Sequence, residues 1–351
     1  MEFFSSYVSP IVFSYIKLVL DSTRLSEGAW VRKFEASIEH HLGVKNIVAV
    51  NSGTSALHLA LVAAGVKQGD EVILPPLTFI ATGLAVLYCG ATPVFCDIEK
   101  DGCIDIYSAR SKVTNKTKAI IGVNWAGHPC NIEGLESLGK YTQCKIIIDA
   151  AQSFGTGVGG DFTCLSFQAT KHLSTGDGGA VICKSDEDYE LVRRLSWFGI
   201  DKEKDLPNSL GERVYNLDRV GYKYHMNNIA AAIGLANLTE IDQRLARRKK
   251  IAGVYRDNLK TVEPIHFKGV YWAYPVKTPN VHKFSDYCAN RGIPVSIIHR
   301  GIDRNSIFGG LGEKTHGMGE WEIYVTHLPV HHEISVDDAL RICNVINKFV
   351  L

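Results

Sequence analysis

The chain has almost no charge imbalance: 38 lysines and arginines stand against 37 aspartates and glutamates in 351 residues. That balance removes bulk attraction as a route to nucleic acid, and no acidic or basic tail appears. An anionic ligand would have to be held by a local arrangement of groups. No apolar run approaches the roughly 20 residues needed to cross a bilayer. The opening "MEFFSSYVSPIVFSYIKLVLDS" lacks a basic stretch and a small-residue cleavage site, and its apolar residues are spaced as on an amphipathic helix. The 9 cysteines form no Cys-x-x-Cys pair, and their number is odd. Thiols scattered through apolar runs, such as Cys96 in "PVFCD" and Cys183 in "AVICK", fit reduced, buried side chains in a cytoplasmic protein. His331 and His332 have no further ligand at metal-site spacing, so no metal is expected. Internal repeats and low-complexity tracts are absent.

Hydrophobic residues make up 46% of the chain, ample for a large core. Continuous apolar segments ("NIVAVN", "DEVILPP", "TPVFCDI", "KAIIGVNW", "KIIIDAA") alternate with helix-like ones ("TSALHLALVAAG", "TFIATGLAVLYCG", "IEGLESLGKY"). This alternation predicts an α/β fold with a mostly parallel, mixed sheet flanked by helices. Two later strands, "DFTCLSFQA" and "GGAVICK", are separated only by the loop "TKHLSTGDG". The stretch 200–221 is polar and irregular and reads as a mobile loop. Helical pattern returns from Asn228 to about Lys260, and the texture changes after Pro264. A large domain over 1–240 and a small C-terminal α/β domain over 241–351, including the linking helix, follow from this pattern.

Gly155, Gly157 and Gly160 satisfy Gly-x-Gly-x-x-Gly. A dinucleotide site needs those glycines in the turn from a strand into a helix. Here "DFTCLSF" follows and reads as a strand, so a glycine-rich hairpin is expected instead.

Four other features point to chemistry. In "NSGTSALHLAL" a strand runs through Gly53, Thr54 and Ser55 straight into a helix. Free backbone N–H groups, two hydroxyls and a helix dipole suit a phosphate there, although an ordinary capped helix has the same pattern. In "IIIDAAQS" Asp149 ends an apolar strand, where a carboxylate either caps a helix or faces a ligand crevice. In "SFQATKHLSTGDGGA" Lys171 sits in a tight loop between apolar strands, one strand-length after Ser166. It is either a solvated lysine or a desolvated nucleophile. Phe79 follows a Pro-Pro pair and serves either the core or as a flat partner for a planar cofactor.

Taken in order, these motifs resemble the nucleotide-sugar aminotransferases of the DegT–DnrJ–StrS group, of pyridoxal-phosphate fold type I. The similarity runs from "STRLSEGAWVRKFE" through "NSGTSALHLAL", "IDAAQSFG", "SFQATKHLSTGDGGAV" and "GYKYHMNNIAAAIGLANL" to "LPVHHEIS". The resemblance implies that Lys171 carries pyridoxal 5'-phosphate covalently and acts as the catalytic lysine. Asp149 would pair with the pyridine nitrogen, Gln152 would touch the ring hydroxyl or face, and Phe79 would stack on the ring. Gly53, Thr54, Ser55 and Ser166 would form the phosphate site. It further implies a homodimer with active sites at the subunit boundary, L-glutamate as amino donor and a nucleotide-linked keto-sugar as acceptor. "STGDGG" and "YHMNNIAAAIG" look more like the branch that aminates C4 of 4-keto-6-deoxy sugars. Sugar 3-amination and pyridoxal-phosphate-dependent sugar dehydration are the alternatives. Dehydratases of this group replace the cofactor lysine by histidine, whereas here His172 only follows Lys171. Asn124 and Asn131 stand where the family often has His and Asp, and "GYKYHM" stands for "GYNYRM", with Lys223 and His225 substituted.

Overall fold

A computed structural model describes residues 1–201, 205, 207–265, 268–310 and 315–350. Seven strands form the large sheet: β1 (Ile47–Val50), β2 (Glu71–Leu74), β3 (Thr92–Phe95), β4 (Thr117–Val123), β5 (Lys145–Asp149), β6 (Phe162–Ser166) and β7 (Gly179–Cys183). Their order is β1-β7-β6-β5-β4-β2-β3. From β3 to β6 all neighbours are parallel, and β7 runs antiparallel to both β6 and β1. The mixed, mostly parallel sheet is as expected. Its strands read as continuous apolar runs because both faces are covered.

Strand alternation divides the strand side chains between two cores. Ile47, Ala49, Ile73, Ile120, Ile146 and Ile148 enter one core, under the helices Ala29–Leu42, Ile132–Thr142 and Asn228–Leu238. Val48, Val72, Leu74, Ile121, Ile147 and Val181 enter the other, under Gly53–Ala63, Ile80–Tyr88 and Asp186–Leu195. β1, β2, β4, β5 and β6 all end at one edge of the sheet, and their following residues are gathered there.

The glycine-rich link is not a hairpin. β6 pairs parallel to β5, with Phe162 opposite Ile147, so residues 150–161 must return to the start of β5. The return is anchored by Asp161, whose backbone N–H donates to Ile146 O and whose carboxylate accepts from Ile146 N at 2.8 Å. Gly155, Gly157 and Gly160 have φ of 98°, 70° and 69°, a left-handed region that glycine enters freely. A Cβ on Gly157 would lie 2.3 Å from Asn124 Nδ2, which donates to Gly157 O. The motif therefore serves backbone packing. The stretch 200–221 has no helix or strand among its described residues, while 202–204 and 206 lie outside them.

A second, antiparallel sheet joins β8 (Glu263–Pro264), β9 (Tyr274–Lys277) and β10 (Val325–Leu328). Its core includes Tyr255, Phe284, Ile342 and Ile346. The helix Ile241–Asn258 belongs to both units: Ile241 and Leu245 pack into the large core, and Ile251 and Tyr255 into the small one.

Edge strand β1 is clasped by a buried ion pair. Arg193 Nη1 and Nη2 donate to Glu35 Oε1 and Oε2 at 2.8 and 3.1 Å, and Nη2 also donates to Ile47 O. Glu35 Oε1 accepts from Ala49 N at 2.7 Å. Removing one partner strands a desolvated charge, so Arg193→Met should cost about 3–5 kcal/mol in denaturant unfolding. The double variant Glu35→Leu/Arg193→Met should lose less than Arg193→Met alone, and equal losses would show that the pair is only solvated surface charge.

Candidate active site

Register delivers the first group. Asp149 is the last residue of β5, opposite Val123 of β4 and Cys164 of β6, and is buried. Thr82 Oγ1 donates to its Oδ2 at 2.8 Å, and Ala151 N–H donates to Oδ1 at 3.1 Å. Thr78 Oγ1 lies 2.7 Å from Thr82 Oγ1 and supplies the next donor, since the Thr82 proton is already committed. Among the described residues no cation reaches ion-pair distance of this carboxylate. Burial raises its pKa, opposed by the bonds from Thr82 and Ala151 and by the charge of Lys171.

Lys171 occupies the β6–β7 loop and is half-buried. Burial pushes its pKa down to about 8, and the negative charge of Asp149 pulls the other way. Its Nζ lies 3.9 Å from the ring centroid of Trp272.

Phe79 precedes the helix Ile80–Tyr88, one turn before Thr82. Phe79 is 52% exposed, three residues before the threonine that bonds the buried carboxylate. Gln152 is buried, and its Oε1 accepts from Ala126 N at 2.7 Å, which leaves the amide NH2 for another partner. Ala126 has φ 52° in the turn Trp125–Gly127 that follows β4.

The Gly53 turn abuts the end of β6. A Cβ on Gly53 would sit 2.9 Å from Ser166 Cβ, and one on Gly179 would sit 2.5 Å from the Ser52 carbonyl, so glycine alone allows this approach. Ser52 caps the helix Gly53–Ala63, accepting from Ser55 N at 3.0 Å. The Ser55 hydroxyl donates to Asn51 Oδ1 at 2.6 Å, so Ser55 is committed inside the turn. Thr54 and Ser166 remain half-exposed on its outer side. The segment Tyr222–Met226 lies alongside: Asn51 N donates to Tyr224 O at 2.7 Å, and Val50 bridges His225. The Lys223 side chain is exposed.

All eight sequence-singled residues therefore gather at one sheet edge. Several neighbours were not singled out. Thr82 carried a signal, being a hydroxyl inside the apolar helix pattern "IATGLAVLY". Trp272 and His299 carried none, since each reaches the site from the small unit. The His299 ring is 5.2 Å from Phe79 and 5.9 Å from Trp125, and its pKa falls to about 4 through burial and then the charge of Lys171. Asn124, in place of the expected His, is buried and committed to Ser153 Oγ, Gly157 O and Cys130 N. Asn131 caps the helix Ile132–Thr142, a task that Asp performs equally well.

The residues fit a flat, cationic, phosphorylated ring. A buried carboxylate held only by neutral donors suits a cationic partner, and a helix N-terminus beginning at Gly53 suits a phosphate. Asp149→Asn would remove the charge that favours the Lys171 ammonium. The midpoint of pH-dependent acetylation of Lys171 in the full-length chain, read by peptide mapping, should then move below that of the wild type. An unmoved midpoint would show that the two groups do not sense each other.

The DegT/DnrJ/EryC1/StrS aminotransferase family matches residues 11–347 of the chain. GDP-perosamine synthase of Escherichia coli O157:H7 is 32% identical over 355 residues, covering 95% of this chain and 94% of that protein. Among solved structures, the sugar aminotransferase CalS13 of Micromonospora echinospora superposes with a TM-score of 0.92 at 28% identity, covering 99% of both chains. AtS13 of Actinomadura melliaura gives a TM-score of 0.93 at 28% identity, covering 100% and 99%. With the match spanning nearly its whole length and the site residues gathered at one sheet edge, the chain belongs to the DegT/DnrJ/EryC1/StrS aminotransferase family.

Proposed function

We propose that this enzyme uses pyridoxal 5'-phosphate to move an amino group from L-glutamate to a nucleotide-linked 4-keto-6-deoxy sugar, giving a 4-amino-4,6-dideoxy sugar nucleotide. The observation that carries the reading is a buried carboxylate, Asp149, held only by neutral donors at the end of β5, with Lys171 in the loop after the neighbouring strand β6. Bound pyridoxal phosphate supplies an electron sink for the pair left when a proton departs from the donor's Cα.

The chain's own groups do the rest. Lys171 Nζ would hold the cofactor and, once free of it, would take the proton from the donor's Cα and hand it on, as base and then acid. Asp149 would face the ring nitrogen and favour its protonated form, with the carboxylate held in place by its Thr82 and Ala151 donors. Exposed Phe79 would stack on the ring, and the amide NH2 of Gln152 would be available to it. The backbone of Gly53 and Thr54, with the Thr54 and Ser166 hydroxyls, takes the phosphate, and Ser55 holds the turn in shape. A second molecule completes each site as a homodimer, with the Tyr222–Met226 segment at the boundary. Exposed Phe13, Leu18 and Tyr88 are apolar surface such an assembly would cover. The nucleotide-sugar class is supported by the likeness to a protein named GDP-perosamine synthase. The C4 position is supported by the likeness of "STGDGG" and "YHMNNIAAAIG" to the C4-aminating branch.

Borohydride reduction of the loaded enzyme should place the label on Lys171, and a label on Lys184 or Lys223 would sink the assignment. Supplied with glutamate and a 4-keto-6-deoxyhexose nucleotide, the enzyme should give a product whose NMR spectrum places nitrogen at C4. Nitrogen at C3, or product only when a 3,4-ketoisomerase is added, would move the assignment to the 3-aminotransferases. A deoxysugar without nitrogen would mark a dehydratase.

A further inference from the structure

We propose that Trp272 is the positioning residue for Lys171, its indole face being the seat of the lysine ammonium whenever Nζ is not bonded to the cofactor. The inference rests on the reading of Lys171 as the cofactor-bearing lysine.

Nζ lies 3.9 Å from the Trp272 ring centroid, within the range of a cation–π contact. Among the described residues Nζ has no carboxylate within ion-pair distance and no hydrogen-bond acceptor, so the indole is its close polar partner. The indole is itself held from several sides. Its Nε1–H donates at 3.0 Å to the carbonyl of Thr170, the residue before the lysine. Its backbone N–H donates at 2.7 Å to Ala126 O, in the turn whose other amide holds Gln152. Its carbonyl accepts from Arg248 at 3.3 Å, and the Phe4 ring stacks on it at 4.4 Å and 21°. Trp272 is 4% exposed, so the platform cannot turn away without breaking these contacts.

A π face suits a group that must alternate between charge states. A carboxylate beside Nζ would hold the ammonium by directed hydrogen bonds and oppose its deprotonation. An aromatic face attracts the cation but claims no lone pair from the neutral amine. The proton that Nζ takes from the donor's Cα therefore has a charge-stabilising seat, and once that proton is handed on the attraction ends and the amine is free to swing.

The test replaces Trp272 alone with 5-fluoro-, 5,6-difluoro- and 5,6,7-trifluorotryptophan, which weaken the ring quadrupole at nearly constant shape. Acetylation of Lys171 is followed against pH in the full-length enzyme, with and without pyridoxamine phosphate, a form that leaves the lysine free. Losing the π contact disfavours the ammonium, so the labelling midpoint should fall stepwise by roughly one pH unit over the series, a tenfold loss of proton affinity. Trp272→Leu should fall as far, and Trp272→Phe should recover most of the shift. A midpoint that ignores fluorination would overturn the proposal. A borohydride label on another lysine would overturn the cofactor assignment instead, and the labelling series would still report whether Trp272 seats the Lys171 charge.

Discussion

A carboxylate withdrawn from water must be hydrogen-bonded or paired, and the way Asp149 meets that demand organises the site. The strand register fixes its position, the hydroxyl of Thr82 and the amide of Ala151 satisfy its oxygens, and Thr78 in turn bonds the Thr82 hydroxyl. None of these neutralises its charge. That deficit leaves a negative charge open to a cationic partner, and it is felt by Lys171 across the same space. The helix that supplies Thr82 also begins at Phe79, so aiming the carboxylate and placing the aromatic face are one structural event.

A strip of backbone bonds helps wire the small unit to this arrangement. Val270 and Trp272 donate to Gly127 O and Ala126 O, while Gly127, at φ 97°, leaves no room for a Cβ beside Tyr271 N. Trp125 extends the strip by donating its indole N–H to His327 Nε2 at 3.2 Å. Burial holds the His327 pKa down to about 3, so the ring stays neutral and its Nδ1–H is directed at Ser296 O.

Much of this was legible in the chain. Apolar runs of strand length gave the parallel sheet, because strands covered on both faces need no polar positions. The Gly53 turn, Asp149 and Lys171 were legible because they sit where strands end, and strand ends can be read locally. The direction of β6 was not. Glycines permit a hairpin and a long return equally well, and the choice was made by Asp161 binding Ile146, a contact decided by the assembled sheet. Trp272 and His299 were hidden for a related reason: in sequence Trp272 is one hydrophobic residue in "YWAYPV", and only the docking of the second sheet brings it to the lysine. The commitment of the Ser55 hydroxyl to Asn51 likewise depends on a turn geometry that composition does not encode.

The helix Ile241–Asn258 has a kinetic consequence. Its first turns are packed in one core and its middle and last turns in the other, with Arg244 donating to His172 O and Arg248 to the backbone of Tyr271, Trp272 and Val330. A hinge between the units would have to bend this rod or withdraw one end of it from buried contacts. Large clamshell opening is therefore an expensive route for substrate entry. Access to the crevice is then set by what stands at its mouth, where exposed Phe79 lies 5.2 Å from the His299 ring, and needs no separation of the two cores.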